Sequence, residues 1–132
     1  MPAPLLQITS LVLALVFAWS ASAKASRPST WWSLLRRYRL GPVTAPAAVL
    51  VPAAEAAVAI LLFRERQVFG ASLALLLLVA FSTAVLRLRS IEGSRLPCGC
   101  FGTSKTRDYR LVLLRNGLLA LLSAAILLNG ED

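Results

Sequence analysis

Four long stretches of the chain consist almost entirely of apolar residues. They run over about residues 4–23, 41–63, 68–86 and 111–129, and Leu, Ala and Val dominate each one. A helix that crosses a bilayer needs about 20 mostly apolar residues, whereas an open sheet in lipid could not satisfy its backbone hydrogen bonds. The pattern predicts an all-α fold, an integral membrane bundle of four transmembrane helices that forms a single domain over residues 1–132.

The first stretch ends in Ala21-Ser22-Ala23, which resembles a signal-peptidase site. The residues before the stretch include no Lys or Arg, although a signal peptide normally begins with a positively charged region. We therefore expect the first helix to be retained. Cleavage would leave three spans.

Composition supports a membrane protein and excludes several kinds of catalysis. Apolar residues make up 58% of the chain and charged residues 15%, with a mean hydropathy of +0.72. A typical soluble domain is about 45–50% apolar and about 25% charged. Histidine is absent, which excludes His-based acid–base catalysis and His-ligated metal sites.

The net charge of +8 is distributed unevenly among the connections between helices. Residues 64–67 join the second and third helices, and so short a connection makes them antiparallel neighbours. The other two connections, residues 24–40 and 87–110, contain most of the basic residues. The positive-inside rule places these two connections in the cytoplasm and both termini outside. Because topology accounts for the basic residues, we expect a lipid bilayer and no nucleic acid as a partner.

The connection over residues 24–40 shows the spacing of a short amphipathic helix, which Ser29 or Thr30 could cap. Indole rings favour the headgroup region of a bilayer. We therefore predict a surface anchor, with a lipid or partner contact as the functional alternative. The predicted membrane-interface residues are Lys24, Trp31, Trp32 and Tyr38.

The chain has two cysteines, Cys98 and Cys100, within the sequence LPCGCFG at residues 96–102. Gly99 admits unusual dihedral angles, so the two sulfurs could meet across it. A disulfide in so small a ring is strained and easily reduced, and the nearby basic residues favour the reactive thiolate. Redox exchange is the leading interpretation, and Cys98 and Cys100 are then the catalytic pair. An inert structural pair and half of a metal site are the alternatives.

The two thiolates do not complete a tetrahedral zinc site without help from carboxylates or a second chain. We therefore predict no metal and no cofactor. The glycines and the proline around the cysteines indicate a turn-rich loop.

Glu55 is the acidic residue within a predicted span, three residues after Pro52. A charged residue at the centre of a spanning helix costs about 2.5–3.5 kcal/mol on insertion scales, so Glu55 must face the bundle interior, be protonated or find a partner. Pro52 has no N–H and should open carbonyls near Ala48. Arg115 and Asn116 are the other intramembrane polar residues, and Arg115 lies too far from Glu55 in depth for a direct pair. Glu55 is either a proton or ligand site or a polar clamp between helices.

These residues together resemble the methylamine utilisation protein MauE family, which is related to the DoxX-like membrane proteins. The most specific part is Cys-Gly-Cys-Phe-Gly at residues 98–102, followed by Leu-Arg-Asn at residues 114–116. Lys24 and Glu55 also lie where that family carries such residues. The resemblance implies a four-helix membrane protein with the motif-supporting residues Pro97, Gly99, Phe101 and Gly102.

The same resemblance implies a role in maturing an exported redox protein with disulfides, such as the small subunit of methylamine dehydrogenase, or in a thioredoxin-like pathway. Such disulfides form outside the cytoplasm, whereas the charge distribution places Cys98 and Cys100 inside. A reversed orientation, a loop that dips into the membrane and an electron relay from a cytoplasmic reductant would each resolve this conflict.

The leading hypothesis is thus a membrane thiol–disulfide redox and maturation factor in the bacterial cytoplasmic membrane. A small transporter or ligand-binding bundle that works through Glu55 is one alternative. A non-catalytic assembly subunit is the other.

The charge distribution makes a testable prediction about the side on which the cysteines lie. A membrane-impermeant maleimide applied to intact cells should label Cys98 and Cys100 only after the membrane is permeabilised. Because the chain has two cysteines, all labelling of the protein reports on this pair. Labelling of intact cells after prior reduction would instead place an oxidised pair outside and contradict the predicted orientation.

Overall fold

Helices account for most of the chain that the computed structural model describes, which is residues 3–64, 66–92, 95–97 and 106–130. In chain order the elements are α1 (Ala3–Ser26), α2 (Pro28–Arg36), a 3-10 turn (Gly41–Val43), α3 (Thr44–Phe63), α4 (Gln67–Glu92), β1 (Arg95–Pro97), β2 (Thr106–Asp108) and α5 (Tyr109–Asn129). Within these residues, four helical segments are long and apolar enough to cross a membrane: Pro4–Ser26, Gly41–Phe63, Gln67–Ile91 and Arg110–Asn129. The predicted fold class, an all-α bundle of four membrane-spanning helices, is confirmed.

Two helices extend beyond the predicted spans. α1 continues to Ser26, so Lys24 belongs to its last turn. α4 continues to Glu92 because its last residues include no Gly or Pro before Gly93. Residues 87–92 were expected in the third connection, and the structure places them in α4. The turn-rich loop predicted around the cysteines lies mostly outside the described residues.

The two short strands of this connection pair with each other. β1 and β2 run antiparallel, with Arg95 opposite Asp108 and Pro97 opposite Thr106. Cys98, Gly99, Cys100, Phe101 and Gly102 lie outside the described residues. By sequence, the segment that contains them joins the two paired strands.

The main core lies where α1, α3, α4 and α5 meet. α1 packs against α3, and α4 packs against both α3 and α5. The buried side chains that they share include Leu13, Phe17, Val58, Leu78 and Ile126. α3 and α4 are neighbours because the connection between them is so short, as the sequence predicted.

The short helix α2 packs on one end of this bundle through a second apolar cluster. This cluster includes Trp31, Leu35 and Tyr38 together with Val85 and Leu88 of α4. The predicted cap by Ser29 or Thr30 is wrong: α2 begins at Pro28, and Arg27 in the cap position makes no side-chain capping bond. Proline suits the first helical position because its φ is already set and its missing N–H is not needed there.

Two hydrogen bonds to backbone carbonyls hold α2 and the turn after it in place. The indole Nε1 of Trp31 donates to the carbonyl oxygen of Ala48 at 3.0 Å. This carbonyl would bond to the N–H of residue 52 in a regular helix, and Pro52 has no N–H. After α2, Arg87 of α4 donates from Nε to the carbonyl of Tyr38 at 3.0 Å.

The close approach of α3 and α4 generates a stability prediction at Gly70. A Cβ atom at Gly70 would lie 2.9 Å from Cγ of Leu62, whereas a Cβ at Gly117 would meet nothing within 4 Å. Gly70→Leu should therefore destabilise the protein by about 1–3 kcal/mol, the range for overpacking. The measurement is thermal unfolding in detergent, with Gly117→Leu as the matched control. Equal unfolding temperatures for the two variants would contradict the packing described here.

Candidate functional site

An ion pair in the interior of the bundle joins Lys24 of α1 to Glu55 of α3. Lys24 Nζ lies 2.9 Å from Glu55 Oε1 and 3.2 Å from Oε2, and the two side chains are 0% and 1% exposed. Ser20 completes the cluster because its hydroxyl accepts a hydrogen bond from Lys24 Nζ at 2.6 Å and donates one to Glu55 Oε2. Ser20 and Lys24 are four residues apart, so they share one face of α1. We call these three residues the polar cluster.

Two aromatic rings surround the ammonium group of the polar cluster. Lys24 Nζ lies 5.2 Å from the ring centroid of Trp31 and 5.8 Å from that of Phe81. Both distances are within the range of cation–π attraction. Opposite charge, hydrogen bonds and ring faces together offset the cost of removing the two charges from water.

The structure buries three of the predicted membrane-interface residues within the protein. They are Lys24, Trp31 and Tyr38. Lys24 turns inward because α1 is longer than predicted and Glu55 needs a cation. Trp31 and Tyr38 turn inward because α2 packs against the bundle. Trp32 is 37% exposed on the outer side of α2.

Arg115 and Asn116 meet the polar cluster from the α5 side. Asn116 is buried and donates from Nδ2 to the hydroxyl of Ser82 on α4 at 3.3 Å, and Arg115 donates to the Asn116 side chain at 3.3 Å. Both residues, with Ser20 and Glu55, line a cavity of about 20 Å³. A cavity of about 10–15 Å³ by this measure holds one water molecule. The intramembrane polar residues named from the sequence therefore converge on one place.

A larger pocket lies on the other side of the polar cluster. It has a volume of about 250 Å³ and is lined by Lys24 together with apolar and aromatic side chains of α2, α3 and α4. Phe81 lines both spaces. Glu55 thus lines the small cavity, and Lys24 lines the larger, mostly apolar pocket.

Sequence reasoning missed the pairing of Lys24 with Glu55 and the part played by Ser20. The signal was present, because an acidic residue inside a span needs a cation and Ser20 and Lys24 have helical i, i+4 spacing. It was overlooked because Lys24 was placed after the first span rather than in its last turn. Of the predicted catalytic pair, Cys98 and Cys100, the structure describes neither residue, and of Pro97 it describes the backbone at the end of β1.

The fold and the polar cluster define a multi-pass membrane protein, a small helical bundle with a buried ion pair at its centre. The family described as Methylamine utilisation protein MauE matches residues 2–129, so the chain belongs to the MauE family. Methylamine utilization protein MauE of Paracoccus denitrificans is 30% identical over 120 residues, which cover 88% of this chain and 64% of that relative. The chain therefore spans a little under two thirds of the relative's length. No solved structure matches the chain significantly.

The ion pair generates a prediction about stability. Lys24→Met alone leaves a buried carboxylate without its cation and should cost about 3–5 kcal/mol, as for other broken buried pairs. The double variant Lys24→Met, Glu55→Leu removes both charges and should recover most of that loss. Thermal unfolding in detergent measures both effects. A double variant no more stable than Lys24→Met would contradict a direct pairing of the two charges.

Proposed function

We propose that this protein is a thiol–disulfide exchange factor of the bacterial cytoplasmic membrane that assists the maturation of an exported, disulfide-containing redox protein. The observation that carries the proposal is the Cys-Gly-Cys sequence in a membrane protein of the MauE family. By name, the relative from Paracoccus denitrificans belongs to methylamine utilisation. A partner of the kind found in methylamine dehydrogenase, the small subunit with its disulfides, is therefore the partner that we propose to test first.

The backbone around the cysteines supports this role. β1 ends at Pro97, the residue before Cys98, and its partner Thr106 begins β2. The antiparallel pairing brings Pro97 and Thr106, which flank positions 98–105 in the sequence, close together. Two cysteines that follow directly on this strand pair would, in the proposed role, exchange with a partner protein.

The exchange chemistry uses both cysteines. The thiolate of one cysteine attacks a partner disulfide, forms a mixed disulfide and releases one partner thiolate. The second cysteine then attacks the mixed disulfide, which closes the Cys98–Cys100 bond and releases the second partner thiolate. Two electrons pass from the pair to the partner, and a thioredoxin-like protein is the class of reductant that would return the pair to the dithiol form.

A ligand-binding or transport function through Glu55 is the second candidate. The observation that favours it is the polar cluster beside a pocket of about 250 Å³. The two candidates make opposite predictions for two variants. Loss of function in Glu55→Gln with retained function in the cysteine variant would favour the second candidate. Tolerance of both variants, with sensitivity to bulky residues at Ala53 or Ala57, would indicate an assembly subunit.

The exchange proposal predicts that Cys98→Ser, Cys100→Ser abolishes maturation of the partner, since neither residue can then form a mixed disulfide. The single variant Cys100→Ser should trap the mixed disulfide if Cys98 attacks first, because the resolving thiol is absent. The measurement is the yield of mature partner with its native disulfide pairing, because reduction of wrongly paired disulfides lets them re-form correctly, together with non-reducing gel electrophoresis of the complex.

Ser104→Ala, a small change in the same segment, is the matched control and should leave maturation unchanged. The level of each variant in the membrane must equal that of the wild type. Unchanged partner maturation in the double cysteine variant would overturn the proposal.

A further inference from the structure

The pocket of about 250 Å³ opens between two membrane-spanning helices, and two arginines stand beside it. We propose that the pocket holds one acyl chain of an anionic phospholipid whose phosphate binds Arg39 and Arg87. The site lies between α2, α3 and α4 and does not include the cysteine pair. The proposal therefore goes beyond thiol–disulfide exchange and does not depend on it.

α3 and α4 pack closely next to their connection and leave a space between them further along. Near the connection, a Cβ atom at Gly70 would lie 2.9 Å from Cγ of Leu62. Towards the other end of the same two helices, Ala47 of α3 and Ala84 of α4 line the pocket. Ala80, one turn before Ala84, also lines it and is exposed within a membrane-spanning segment. The pocket is therefore open towards the lipid.

The walls of the pocket suit a hydrocarbon chain, because the two nitrogen-bearing side chains that line it are already bonded within the protein. The side chain of Lys24 is 0% exposed, and its ammonium group is bonded to Ser20 and Glu55. The indole N–H of Trp31 is bonded to the carbonyl of Ala48. The other lining residues are aliphatic or aromatic. An acyl chain needs no hydrogen bond and gains dispersion contacts with such walls.

Two exposed arginines lie next to the pocket. Arg39 stands between Tyr38 and Leu40, which both line the pocket. Arg87 follows Ala84 by three residues on α4, so the two residues share a helix face. The Arg87 guanidinium donates to the carbonyls of Tyr38 and Arg39 at 3.0 and 3.1 Å. These two bonds keep both arginines beside the entrance of the pocket.

The charge beside the pocket favours an anionic headgroup. Within the described part of the chain, no acidic side chain pairs with Arg39 or Arg87. The phosphate of a lipid can serve as their counterion, because a guanidinium group matches the geometry of phosphate oxygens. A zwitterionic lipid would bring its own cation towards the two arginines, so a lipid with a net negative charge is preferred. Basic pockets between spanning helices bind anionic headgroups in this way.

Brominated lipids can report whether a chain occupies the pocket, because bromine quenches tryptophan fluorescence at contact. The variant Trp19→Phe, Trp32→Phe leaves Trp31, which is 7% exposed, as the reporter in the full chain. This variant is placed in nanodiscs of phosphatidylcholine with a small fraction of brominated phosphatidylglycerol or, for comparison, brominated phosphatidylcholine. Two arginines should give phosphatidylglycerol an apparent affinity about 30-fold higher. Equal quenching by the two brominated lipids would overturn the proposal.

Two pairs of variants of the Trp31 reporter test the pocket and the headgroup site separately. Ala47→Phe fills the pocket and should abolish quenching, whereas Ala53→Phe, at an exposed position on the same helix, should not. Arg39→Gln should weaken the preference for phosphatidylglycerol by about fivefold. Arg66→Gln, on the α3–α4 connection at the opposite end of the bundle, should leave it unchanged.

Equal results within either pair would contradict the proposed site. The arginine pair changes exposed side chains, so it tests the site even if Ala47→Phe does not fold.

The cysteine variant separates this proposal from the proposed function. Cys98→Ser, Cys100→Ser should keep the preference for phosphatidylglycerol. Selective lipid binding together with unchanged partner maturation in this variant would reject the proposed function alone. Loss of maturation in this variant, with no selective lipid binding by the reporter, would reject this proposal alone.

Discussion

The ion pair between Lys24 and Glu55 is the constraint on which the arrangement of the bundle depends. Each charge is buried and would be costly alone, so α1 and α3 must pack with these two residues at the same level. Lys24 stands in the last turn of α1, where the helix dipole also favours a cation. Ser20, one turn earlier, is hydrogen-bonded to both partners. The two partners also line different spaces, Glu55 the small cavity and Lys24 the larger apolar pocket.

The missing N–H of Pro52 is the second constraint on how the helices pack. A proline within a spanning helix leaves a carbonyl four residues earlier without its helical partner, and in α3 the indole of Trp31 supplies that partner. A local defect of one helix thereby becomes the attachment point of another. Because α2 is held against the bundle at this point, Trp31 forms part of a wall of the pocket.

The paired strands β1 and β2 and the pocket beside Lys24 both lie towards the end of the bundle at which α4 ends. Trp31 and Leu35 of α2 share an apolar cluster with Val85 and Leu88 near this end of α4, and β1 begins three residues after α4 ends.

The sequence by itself determined the fold class, the four spans and the close pairing of α3 with α4, because apolar length and connection length are local properties. It also identified Glu55 as a residue in need of a partner and the carbonyl near Ala48 as one that Pro52 leaves open. Only the tertiary structure decided which groups pair with Glu55 and with the Ala48 carbonyl. Lys24 and Trp31 are 31 and 17 residues away from their partners along the chain, and they reach them because α1 extends beyond its apolar stretch and α2 packs inward. These pairings depend on how the helices pack, and the local pattern of hydrophobic residues does not contain that information.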